Sequence, residues 1–144
     1  MHYYREIYDV EGLKIVYVTF SDYELLHNFD DLLELWLHMY DSHRYFRFIF
    51  DTRNLINIPS LYYAFRMAFF ISRLKKRPTQ YLERSLILVN HQKISRLLDF
   101  IFSIQSPVAP VYIYHCERTP LKKDMIDMII QQNITGEDIK EILP

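Results

Sequence analysis

The sequence predicts an α/β domain, a mixed and mainly parallel five-stranded sheet packed by four to five helices. Three observations lead there. Apolar runs rich in aromatic and β-branched residues recur at 13–20, 45–50, 85–89 and 111–114. Each is followed by a segment whose apolar residues return at the helical period. The opening run, 3–8, is parted from the second by Asp9-Val10-Glu11-Gly12, a gap of hairpin length with a glycine available for a positive φ. Strands alternating with helices imply parallel pairing through right-handed crossovers, and the hairpin adds one antiparallel strand.

The elements follow in order. After the hairpin, Ser21-Asp22-Tyr23-Glu24 has capping-box spacing. Leu25, Leu26, Phe29, Leu32, Leu33, Trp36 and Tyr40 then recur as one helical stripe ending before Ser42, with a bend expected near Asn28. The run 45–50 is a buried strand, broken by Asp51-Thr52-Arg53-Asn54. Helix 60–76 comes next, with Asn57 as a cap and Pro59 where a first helical residue tolerates proline. Pro78 stops it, and Lys75, Lys76 and Arg77 complement its carboxyl-terminal dipole. Strand 85–89 is broken by Asn90-His91, and Ile94, Leu97, Leu98, Ile101 and Phe102 form the next helical stripe. Residues 107–110 lead into the strand at 111–114. Thr119-Pro120 opens a helix carrying Leu121, Met125, Met128 and Ile129. Thr135-Gly136-Glu137-Asp138 is expected to start a short terminal helix of Ile139, Ile142 and Leu143. The predicted order is β-β-α-β-α-β-α-β-α-α.

Composition bounds the function. At 144 residues the chain fits one domain, 1–144, burying about two-thirds of its unfolded surface. Hydrophobic residues at 50% and aromatics at 16% ensure a packed core. With only 2 glycines, a Gly-rich phosphate loop lacks the backbone freedom it needs. A formal net charge of −1 gives no global field to attract nucleic acid, and no nucleic-acid partner is expected. The single cysteine excludes an internal disulfide and a Cys-rich metal site, and it fits a reducing, cytoplasmic setting. The opening residues lack the apolar core of a signal peptide. Arg66 and Arg73 interrupt the most apolar helix well short of the roughly 20 residues of a membrane span. No transmembrane segment is expected.

Phe50-Asp51-Thr52-Arg53-Asn54-Leu55-Ile56-Asn57-Ile58-Pro59-Ser60-Leu61 resembles the central segment of STAS domains, the fold of bacterial anti-sigma-factor antagonists. That segment has a strand ending in Asp, an apolar residue four positions on, another three beyond, and a helix carrying a regulatory serine. Asp51, Leu55 and Ile58 take those places. Residues 88–98 resemble the family's second strand-to-helix joint, and the likeness spans about residues 1–130 in element order. It implies a non-catalytic protein-interaction or regulatory domain. The family's Asp-Ser-Ser-Gly helix start is replaced by Pro59-Ser60-Leu61-Tyr62, so Leu61 stands at the phosphorylated position and Ser60 one place earlier. A divergent lipid-binding fold shares the same succession of elements.

In open α/β sheets, ligands sit at the carboxyl ends of parallel strands. Asp51, Thr52, Arg53 and Asn54, then Asn90 and His91, then His115 and Cys116 occupy those ends and form the candidate ligand or partner site, with Ser60 beside them. Strand ends are loops, however, and loops are polar in any case. A phosphatase loop at His115-Cys116 is excluded by spacing: Lys122 stands six residues after Cys116, Arg118 only two, Pro120 removes an amide and no glycine is present. No catalytic residue is assigned and no enzyme is expected. The six histidines show no metal-ligand spacing, so neither metal nor cofactor is expected. Helix 60–76 is apolar nearly all round and must be covered on both sides. A symmetric homodimer through Tyr62, Tyr63, Phe69 and Phe70 would do this. The basic run 73–77 suits a helix end, an acidic partner or an anionic lipid surface. The leading expectation is an interaction or regulatory domain working through a protein partner or its own copy. The alternative is a small-molecule or lipid-binding module using the strand-end pocket.

Overall fold

The opening hairpin forms as expected in the computed structural model, which describes residues 2–22, 27–116 and 120–144. β1 (His2–Val10) pairs antiparallel with β2 (Leu13–Ser21) over their full lengths. Glu11 and Gly12 turn the chain with φ of 52° and 86°, the doubly positive geometry that matches strand twist. The Asp9 carboxylate accepts from the Gly12 N–H at 3.0 Å.

The sheet is seven-stranded, in the order β3-β1-β2-β4-β5-β6-β7. Here β3 is His27–Asn28, β4 Phe46–Asp51, β5 Leu82–Val89, β6 Val111–His115 and β7 Ile139–Ile142. β2, β4, β5 and β6 run parallel, while β1, β3 and β7 pair antiparallel at the flanks. The expected mixed, mainly parallel five-stranded sheet is corrected in two respects: it gains a strand on each side, β3 and β7, and its pairings divide evenly between parallel and antiparallel.

Among the described residues four helices cover it: α1 (Phe29–Asp41), α2 (Leu61–Leu74), α3 (Gln92–Ile104) and α4 (Lys122–Ile130). α1, α2 and α3 share one face, where Val16, Val18, Phe48 and Phe50 meet Trp36 and Phe70. α4 covers the other, where Ile15, Tyr17, Ile49 and Leu86 meet Met125 and Ile129. The central strands are continuously apolar because both of their faces are buried. Trp36 is the pivot of the larger layer, edge-on to Phe48 at 4.8 Å and to Phe70 at 5.2 Å.

The structure moves three predicted boundaries. α1 starts at Phe29, not after Ser21, because Asn28 and Asp31 form the capping box instead. Ser21 closes β2, and Glu24 lies outside the described residues. α2 begins at Leu61 with Ser60 at its N-cap, so Asn57 and Pro59 lie in the preceding loop. The carboxylate of Asp22 accepts from the Ile56 and Asn57 N–H groups and anchors that loop. The terminal helix is a strand. Ile139, Ile142 and their neighbours are too few to nucleate a helix, whereas β6 offers them a full row of backbone partners. Thr119, the expected cap of α4, lies outside the described residues, and Leu121 holds the N-cap. Among the described residues no helix is long and apolar enough to cross a membrane.

Candidate functional site: a polar pocket at the strand ends

Register alone brings the site together. Thr19 on β2 lies opposite Asp51 on β4, Asp51 opposite Leu88 on β5, and Val89 opposite His115 on β6. The carboxyl ends of four parallel strands thus stand side by side, as the ligand rule for open sheets requires. They border a cavity of about 320 Å³ lined by Thr19, Asp51, Arg53, Asn54, Asn90 and Cys116. Tyr4, Tyr17, Pro120 and Lys122 complete its wall.

Asp51 is its electrostatic centre and only 6% exposed. Its carboxylate accepts the Arg53 Nε–H at 2.9 Å and a second guanidinium N–H at 2.8 Å, a bidentate pair. The Arg53 backbone N–H and the Tyr17 hydroxyl also donate to it, at 3.1 and 3.4 Å. Burial, and after it the charge of Asp51, push the Tyr17 hydroxyl well above its ordinary range. On the opposite wall Lys122 pairs with Glu6 and lies over the Tyr17 and Tyr4 rings at 5.3 and 5.8 Å. Hydrogen bonds from Lys122 and Tyr8 hold the Glu6 carboxyl below its usual value. Burial pushes the Cys116 thiol up to about 11, so it stays protonated at neutral pH. The Thr19 hydroxyl is buried and has no hydrogen-bond partner among the described residues.

The structure gathers Asp51, Arg53, Asn54, Asn90 and Cys116 from the sequence-based set and leaves the rest elsewhere. Thr52 turns to the opposite face, where its hydroxyl donates to the Leu88 carbonyl at 2.7 Å. There it borders a second, almost wholly apolar cavity of about 130 Å³ between the sheet and α1, α2 and α3. His91 caps α3, its Nδ1 accepting from the Lys93 N–H at 3.1 Å. His115 is half-buried outside the pocket, its backbone N–H donating to the Asp138 carbonyl at 3.0 Å. Ser60 is exposed at the N-cap of α2 and makes no side-chain cap bond.

Five lining residues, Tyr4, Tyr17, Thr19, Pro120 and Lys122, lie outside the set read from the sequence. Thr19 carried a signal, as the only polar side chain in the run 15–20. Tyr17 sits in that same run and looked purely apolar. Tyr4 and Lys122 arrive from β1 and α4, whose placement depends on pairing.

The proposed aromatic interface divides by helical phase. Tyr62 and Phe69 point outward, 61% and 69% exposed. Tyr63 packs edge-on against Phe29 at 5.1 Å, and Phe70 is 3% exposed against Trp36. Positions seven apart share a helix face, so Tyr63 and Phe70 belong to the core and are unavailable to a partner. Among the described residues no group of three or more His, Cys, Asp or Glu side chains is placed to hold a metal ion. Comparison of the chain with protein-family models, curated proteins and solved structures finds no match.

Proposed function

We propose that the chain is a non-catalytic binding and regulatory domain of STAS-like architecture, and that its polar pocket receives a small hydrogen-bonding ligand. One observation carries the reading: four parallel strands end together on a 320 Å³ cavity whose wall carries the Asp51–Arg53 pair with Asn54 and Asn90 beside it. The wall charges are balanced in pairs, Asp51 with Arg53 and Glu6 with Lys122, which favours an occupant of little net charge. The volume is at the lower end for a small-molecule site. A protonated Cys116 and an Arg53 engaged by Asp51 leave no activated nucleophile beside a free anion-binding group. The STAS likeness is supported by the parallel strands following an opening hairpin, with Asp51 ending β4 and Leu55 buried in the next loop.

Native mass spectrometry of freshly purified protein tests this. A co-purifying small molecule is expected, and Asn54→Leu and Asn90→Leu should each weaken its retention about tenfold, as loss of one hydrogen bond implies. A bare chain mass, with no thermal shift from nucleosides, amino acids or sugar phosphates, rejects the reading.

A second reading concerns Ser60, whose exposed hydroxyl at a helix start is open to phosphorylation. The helix dipole would favour the added charge. Arg53 is already bound to Asp51, so it is not the partner of that phosphate. Incubation with source-cell extract and ATP, followed by phosphopeptide mapping, decides it, and an unmodified Ser60 ends this reading.

A further inference from the structure

α2 and α3 show solvent a face that is apolar and basic together. On α2 the outward residues are Leu61, Tyr62, Phe65 and Phe69, followed toward its carboxyl end by Arg73 and Lys76. On α3 they are Lys93, Arg96, Phe100 and Ile104. The Phe65 and Phe100 rings meet edge-on at 5.8 Å, so the two stripes join into one patch. Isolated exposed apolar residues need no explanation, but a contiguous patch of six marks a docking surface.

Charge identifies the occupant. α2, the turn after it and α3 carry seven Lys and Arg against one acid, Asp99, in a chain of formal net charge −1. Asp99 is itself paired with Lys140. Arg66 and Arg77 turn toward Asp30 and Asp41, while Arg73, Lys76, Lys93 and Arg96 stay exposed around the apolar residues. A second copy of the chain would set these cations against their equals, which disfavours a twofold contact. Aromatic and aliphatic side chains ringed by Lys and Arg suit the headgroup layer of an anionic bilayer, where rings enter the interface and cations meet lipid phosphates and carboxylates.

We propose that the α2–α3 face docks the protein peripherally on an anionic lipid surface. The test is co-sedimentation of the full chain with vesicles of phosphatidylcholine alone or with phosphatidylserine added. Binding is expected to the phosphatidylserine vesicles and to fall steeply at high salt. At about 1 kcal/mol per surface cation, Arg73→Gln with Lys76→Gln should lower partitioning roughly 25-fold. Phe69→Ser should lower it at unchanged salt dependence. Both variants change exposed side chains, so unaltered melting temperatures are expected and confirm that folding is intact. Failure to bind phosphatidylserine vesicles overturns the proposal. A doubled mass in sedimentation would then assign the face to a second copy. Retention on a polyglutamate column, lost in the double variant, would assign it to an acidic protein. Binding that neither variant alters overturns it as well.

Discussion

Asp51→Asn removes the charge of a carboxylate that is 6% exposed and accepts four hydrogen bonds. Arg53 is left behind with its side chain only 13% exposed. Removing one partner of a buried pair costs about 3–5 kcal/mol. The amide oxygen still accepts, and Arg53 borders a pocket that admits water, so about 2–4 kcal/mol is the expected loss. At about 2.1 cal/mol/K per residue, 144 residues unfold with about 0.3 kcal/mol/K. The melting temperature should therefore drop by about 7–13 °C. Urea titration should show a lower midpoint at an unchanged slope. Replacing both residues by leucine removes the stranded charge and should restore most of the loss. A single-variant loss below about 1 kcal/mol, or a double variant worse than the single one, would refute the view that Asp51 exists to hold Arg53 in its largely buried place.

Three shorter predictions accompany it. Gly12→Ala should cost about 1–2 kcal/mol in urea titration while Gly12→Asn costs little, because nothing lies within 4 Å of a Cβ there and the whole penalty is the φ of +86°. Iodoacetamide should label Cys116 far more slowly in the folded chain than in urea at pH 8. Its raised pKa makes a stability contribution that is complete below the unfolded value of 9.0 and lost as pH climbs toward about 11, so urea midpoints should fall over that interval. Tyr40, pushed up to about 12 by burial, extends the loss to higher pH. Benzene should raise the melting temperature by occupying the 130 Å³ apolar cavity, by about 5 °C at ten times its dissociation constant. Ala64→Leu, which fills the space between α2 and the sheet, should abolish that shift in calorimetry.

What the sequence made legible is what local chemistry decides. Residues 13–20, 45–50, 85–89 and 111–114 are strands because each apolar run is bounded by polar breaks and covered on both faces. Asp51, Arg53, Asn54, Asn90 and Cys116 were legible as neighbours around one pocket because strand ends collect there in any parallel sheet. The rest depends on contacts between distant residues. Ile139 and Ile142 fit a helical spacing as well as a strand, and only the waiting edge of β6 decides between them. Asn28 outcompetes Ser21 as a cap because β2 runs on through Ser21 to pair with His2. Lys122 enters the pocket wall through its partner Glu6, 116 residues earlier in the chain.

The order of the sheet also fixes the order in which it can be built. β1 and β2 are neighbours in the chain, so their hairpin can close within microseconds of leaving the ribosome. Each later strand then pairs with one already made: β4 on β2, β5 on β4, β6 on β5. The sheet grows outward during synthesis, and its newest member always presents a bare row of backbone donors and acceptors to whatever is nearby. β7 covers the β6 edge by doubling back along it and leaves only a short edge of its own, Ile139–Ile142. A chain cut before Ile139 would keep its growing edge permanently open, and neighbouring nascent chains would become the next available strand.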